Sequence, residues 1–275
     1  MPVIAMTQEM GSLAKDVALR LAQAQNLAVM RHEVIDHVAE KMHVPRSLLR
    51  RLREGKAGLL ERYTADETSM ALYTAEEMFE LAQRNNVVLR GWGATCLLRP
   101  VAHVVCVRIT RPLKQRVEWL MEYFDTDDAE FAEAEIRRSD AAHASRMHHL
   151  FGVTWGDPVL YDLMLNTQRV SVESCAEQIW ALANRPEFQE TAASRAMLAN
   201  MTLAAHIRAA LRGHAATSHT RIVIEPSDGR VTLRGIVLNA DERRETEKTV
   251  AAVPGVLSVD SQLRSMSDSK QYSAE

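Results

Sequence analysis

The chain has 275 residues, 47% of them hydrophobic and 25% charged, and a formal net charge of −3. That length suits two domains better than one, the composition suits a buried core, and the charge excludes the global positive field of a nucleic-acid-binding protein. No run of about 18 apolar residues offers a membrane span, and Met1-Pro2-Val3-Ile4-Ala5-Met6 lacks the basic start and the length of a secretory signal, so the expected location is cytoplasmic.

Cys96, Cys106 and Cys175 lie in apolar stretches without metal-ligand spacing and read as reduced packing residues. Val3–Met6 reads as a buried strand, Thr7–Ser12 as a loop containing Gly11, and Lys15–Ala24 as a helix with Val17, Ala18, Leu21 and Ala22 on one face. Strand, small-residue loop and helix open a parallel α/β fold. The alternation continues. Helices are expected over 33–42, 46–53, 75–84 and 112–123, a long charged one over 127–150, and another over 172–184. Strands are expected over 87–89, 104–109 and 161–165. Such alternation argues a parallel sheet covered by helices on both faces.

After Arg185-Pro186-Glu187 the pattern changes, and residues 186–195 read as a helical connector or linker. A helix over 197–211, a hairpin of strands 220–225 and 231–238 turning at Ser227-Asp228-Gly229, a helix over 241–253 and a strand over 256–263 make a small α+β domain. The expected division is 1–185, a linker 186–195, a second domain 196–266 and a disordered tail 267–275.

A loop between a buried strand and a helix N-terminus is a natural anion site, because unpaired amides point outward there. The phosphate-loop pattern G-x-x-x-x-G-K-S/T is matched only at Lys15, since Glu9 and Ala14 stand at the glycine positions and Asp16 at the hydroxyl position. In wider context, however, Thr7-Gln8-Glu9-Met10-Gly11-Ser12-Leu13-Ala14-Lys15-Asp16 resembles the opening of the cytidylate-kinase-like family. So, in order, do Val87-Val88-Leu89-Arg90-Gly91-Trp92-Gly93-Ala94, Arg108–Arg116, Trp155–Pro158 and Tyr161–Thr167. The resemblance implies a P-loop nucleoside-monophosphate kinase fold that uses ATP and Mg²⁺ on an acceptor such as CMP or dCMP. It implies ATP phosphates at Gly11, Ser12 and Lys15, Mg²⁺ held through water at Asp16 with no direct protein ligand set, and Arg116 near the adenine or the phosphates. It places Arg137, Arg138 and Asp140 in a mobile catalytic lid.

This chain departs from the family where Leu13-Ala14 replace a glycine pair and Trp92 replaces an arginine. Lys15 reads equally as a solvated lysine, Trp92 as a packing residue, and Arg137 and Arg138 as helix-surface partners of the preceding acids. The alternative function is therefore a catalytically inactive nucleotide-binding sensor or scaffold.

From Met197 to Met266 the chain resembles a BON domain, on Asp228-Gly229-Arg230-Val231-Thr232-Leu233-Arg234-Gly235 and Val253-Pro254-Gly255-Val256 above all. That resemblance implies binding to a phospholipid surface or a protein partner, with Arg208, Arg212, Arg221, Arg230 and Arg234 as the available positive charge.

Overall fold

The computed structural model describes residues 2–30, 33–53, 56–58, 61, 66–91 and 93–266. Trp92 and the expected tail 267–275 lie outside these. Five parallel strands, β1 (Val3–Gln8), β2 (Ala28–Met30), β3 (Val87–Arg90), β4 (Val104–Thr110) and β5 (Leu163–Asn166), form a sheet in the order β2-β3-β1-β4-β5. Period-two alternation divides their side chains between two cores. Val3, Ala5, Val87, Leu89, Val104 and Cys106 face one core, and Ile4, Met6, Val88, Val105, Val107 and Ile109 face the other. The second core is closed by α1 (Ala14–Gln25) and α8 (Val172–Ala183). The first is closed by α2 (Glu33–Met42), α3 (Arg46–Arg53) and α4 (Glu67–Gln83), with the short α5 (Ala94–Leu97) at its edge.

β2 was not expected from sequence. Three residues carry no periodicity, and Asn26, in the left-handed region at φ 53°, ends α1 and turns the chain straight into it. α6 (Leu113–Phe124) and α7 (Ala129–Phe151) pair over a small third cluster of Leu120, Ala132 and Ile136.

A second sheet joins β6 (Ile222–Ser227) antiparallel to β7 (Arg230–Val237), and β7 parallel to β8 (Ser258–Ser265). The hairpin closes on Asp228 and Gly229, both at positive φ (47° and 80°), the two-residue turn that suits the twist of paired strands. Any side chain at Gly229 would stand 2.7 Å from Leu257. α10 (Ala240–Ala251), capped by Asn239, covers the sheet.

Between the two sheets runs α9 (Ala192–Gly213), which belongs to both units. Its Leu198 and Ala205 are buried in the first unit's core, and its Ala204, Ile207 and Leu211 in the second's. The expected linker is ordered. Pro186–Phe188 form a 3₁₀ turn, and α9 begins at Ala192 behind a capping box of Thr191 and Ser194. Arg212, on the last turn of α9, ion-pairs with Asp66, the N-cap of α4, and donates from Nε to Ser69 Oγ at 2.7 Å. Arg212 is therefore engaged with α4. The Ser69 and Arg212 contacts hold the Asp66 carboxyl down at about 2 against its partial burial.

His103 fixes the start of α9, its Nδ1 lying 2.8 Å from Ser194 Oγ, and is itself buried. Burial lowers its pKa, reinforced by Arg195 and opposed by Glu190. With a folded pKa below the unfolded value of about 6.5, neutral His103 contributes its full stability above that pH. The contribution is lost as pH falls through the folded value. Melting temperature should therefore decline between pH 7.5 and 5, by roughly 2–4 °C for each kcal/mol lost. His103→Gln should flatten that decline, and an unchanged slope would refute the assignment.

Candidate functional site

β1 lies in the middle of the sheet, and its carboxyl end is where ligands of open α/β sheets bind. Residues 9–13 link it to α1 and are anchored at three points. The Glu9 carboxylate accepts from Arg108 Nη2 (2.8 Å), Thr110 Oγ1 (2.5 Å) and the Arg111 amide (3.2 Å), tying the loop to β4. The Met10 carbonyl accepts from Arg116 Nη1 at 3.4 Å, and the same guanidinium meets Asp140 at 2.6 Å. The Ser12 carbonyl accepts from Thr167 Oγ1 at 2.9 Å, beyond the end of β5.

Two residues turn through the left-handed region, Gly11 at φ 78° and Leu13 at φ 60°. A side chain at Gly11 would press on Trp119 and Arg116 at 3.1–3.2 Å, so only glycine lets α6 lie against the loop. Leu13 is the N-cap of α1 and offers the helix no side-chain bond. A leucine in that region carries a strain of about 1–2 kcal/mol. Its backbone nevertheless makes the turn expected of the glycine it replaces.

The loop's free donors follow from its hydrogen bonds. Ser12 N–H is spent on Glu9 O, whereas the amides of Leu13, Ala14, Lys15 and Asp16 donate to no described backbone acceptor. Ser12 Oγ is buried with no partner among the described residues. Unsatisfied donors at the positive end of a helix are what an anion requires.

Below the loop lies a network that sequence reasoning missed. Arg108, buried on β4, donates to Glu9 and to the Trp155 carbonyl (3.0 Å), and lies 4.1 Å from the Trp155 ring centre. Trp155 Nε1 donates to Thr7 Oγ1 at 3.0 Å, Tyr161 O–H donates to the Trp155 carbonyl at 2.6 Å, and His143 packs on the indole 4.4 Å away. The available signal was a charged residue at an inward position of the apolar run Val104–Ile109, matched by an acid just past β1.

The structure brings Gly11, Ser12, Lys15, Asp16, Arg116 and Asp140 around this loop. Lys15 and Asp16 are exposed on the first turn of α1, and Arg116 is buried beneath Gly11. Arg137 and Arg138 are not brought to it by any contact. They lie on the unbroken helix α7, bonded to Glu133 at 2.7 Å and to Glu135, and Asp140 lies on the same helix, held by Arg116. A groove of about 740 Å³ lies between the two units, lined by Lys41, Tyr73, Glu76, His206, Lys248 and Val253. Its cations are already met by Glu76 (2.7 Å) and Glu245 (3.8 Å), so the unsatisfied donors of the loop mark the better anion site.

A parallel α/β unit of this strand order, with an amide-lined turn at the end of its first strand, defines a kinase-like fold. The chain belongs to the cytidylate kinase-like family, whose model matches residues 3–169, and residues 201–265 match the BON domain. Among solved structures it is similar to an uncharacterized protein from Eubacterium ventriosum ATCC 27560. That match has a TM-score of 0.53 at 19% identity and covers 67% of this chain and 100% of the other. Two shikimate kinases also match. The enzyme from Bacteroides thetaiotaomicron gives a TM-score of 0.45 at 14% identity, covering 67% of this chain and 99% of its own. The enzyme from Acinetobacter baumannii, in complex with shikimate, gives 0.40 at 13%, covering 66% and 92%. No curated protein matches. No described helix is long and apolar enough to cross a membrane.

Proposed function

We propose that the chain is an ATP-dependent nucleoside-monophosphate kinase of the cytidylate type, with CMP or dCMP as acceptor. The observation that carries this reading is the set of unpartnered amides from Leu13 to Asp16 beside the buried, unpartnered Ser12 hydroxyl. The ATP phosphates fit that cradle, with Lys15 exposed at its rim to meet their charge. Asp16 is the exposed carboxylate to which Mg²⁺ fits through water, since Glu9 and Asp140 are engaged by arginines. When bound, ATP supplies the phosphoryl group and Mg²⁺ neutralises charge on it. The chain's own task is to position and to stabilise charge. The test is ADP formation from ATP with CMP, dCMP or UMP. Turnover that Lys15→Ala abolishes is the expected result, and none above that variant's background rejects the reading.

One observation favours a second reading, a nucleotide sensor without turnover. Arg108, Arg116, Arg137 and Arg138 each already hold a carboxylate. Nucleotide would then raise the melting temperature by linkage while no ADP forms.

Leu13→Gly separates strain from charge at this site. Glycine relieves the left-handed strain and removes the side chain from the cradle rim. ATP affinity measured by calorimetry should rise several-fold, about 1 kcal/mol, and an affinity lowered by the change would mean that Leu13 itself contacts the ligand.

For the C-terminal module we propose a surface-binding role through the outer face of its sheet, where exposed Val223 and Ile236 lie among Arg230, Arg234 and Arg264. Sedimentation of the full chain with anionic vesicles tests it.

A further inference from the structure

Asp140 does not sit among the residues that face the cradle. It lies on α7, behind the loop, where Arg116 Nη1 meets it at 2.6 Å. Arg116 carries the contact onward, donating to the Met10 carbonyl at 3.4 Å, with Nε 3.8 Å from Glu9. Its own Cα lies 3.2 Å from where a side chain at Gly11 would begin. The Met10 carbonyl is thus held by one half of an ion pair, and the turn at Gly11 is pressed against the same residue. Both partners are largely removed from water, where a charge-assisted bond is strong and its loss is felt locally.

We propose that Asp140 is the positioning residue of the phosphate loop, holding Arg116 and the Met10 peptide so that residues 10–12 stay turned and the amides of Leu13–Asp16 stay open. The inference rests on the loop being the phosphate site, but the device itself exists without ligand. Asp140 acts from beneath the loop, through Arg116, and contacts no reacting group. α7 thereby becomes a fixed buttress for the loop.

Hydrogen exchange of the nucleotide-free full chain tests it. In Asp140→Ala the amides of Glu9 and Ser12, bonded to Ile109 and Glu9 carbonyls, should exchange about tenfold faster, as expected when a bond to a charged group that holds the loop is lost. The remainder of β1, β4 and α7 should keep its protection. Arg116→Ala should match it, and the double variant should add nothing, because the two act as one device. Asp140→Glu, which keeps the charge, should restore most of the protection. Unchanged exchange at Glu9 and Ser12, acceleration spread evenly over the domain, or additive effects of the two substitutions would each overturn the proposal. ATP binding measured on the same proteins separates the two ideas. Loosened loops that bind ATP as tightly as the wild type would leave the positioning role standing and reject the phosphate reading.

Discussion

A chain ending at residue 190 should fail to fold cooperatively, although it contains the whole five-stranded sheet. α9 supplies Leu198 and Ala205, with Met201 and Ala209 beside them, to the core that also holds Val34, Val38, Tyr73 and Leu81. Removing it leaves that apolar face of α4 uncovered, and Asp66 loses Arg212 as well. The full chain should accordingly melt in a single calorimetric transition. Leu198→Ala, a truncation of a fully packed leucine, should cost about 2–5 kcal/mol and move the whole transition. Two resolved transitions, with only one responding to Leu198→Ala, would show that the units are merely tethered.

Arg108→Ala should be the most damaging single change at the loop. The side chain is buried and serves Glu9, the Trp155 carbonyl and the Trp155 ring together. Its removal takes from the largely buried Glu9 carboxylate its nearest cation and leaves only Arg116 Nε at 3.8 Å, a defect of up to about 3–5 kcal/mol. The urea midpoint should fall accordingly, with an unchanged slope. Neutralising both ends, as Arg108→Met with Glu9→Gln, should recover much of the loss, because no charge is then left unpaired. A single variant within 1 kcal/mol of wild type, by the measure of an exposed ion pair, would mean that the triad is not the loop's foundation.

Much of the fold was legible because its signals are periodic. Val104–Ile109 could only be a buried strand. α2 and α3 occur over the expected 33–42 and 46–53, and Asp228-Gly229 named its own turn. β2 was illegible because three residues carry no period. The extent of α9 was understated because 186–195 read as a helical connector or linker apart from the helix expected at 197. Pro186 does begin a turn, but Thr191 and Ser194 then cap a new helix that starts five residues before the first expected position.

The site was legible by kind and less so by geometry. Strand, loop and helix pointed to an anion, and in the structure the amides of Leu13–Asp16 donate to no described backbone acceptor. Which cations face that loop depends on partners distant in sequence. Arg116 is 24 residues from Asp140 and Arg108 is 99 from Glu9. Arg137 and Arg138 were placed by resemblance in a lid. Their partners Glu133 and Glu135 lie one turn earlier on the same helix, the bland spacing that sequence already allowed.

The shared helix also dictates an order of events during synthesis. By the time Gln83 has been made, α4 has presented Tyr73 and Phe79 to solvent, yet its covering helix is not complete until Gly213. At ordinary elongation rates that leaves a nascent hydrophobic surface waiting for about 10 s. A chaperone that captures nascent chains should hold this one longest over that interval and release it as the second unit emerges.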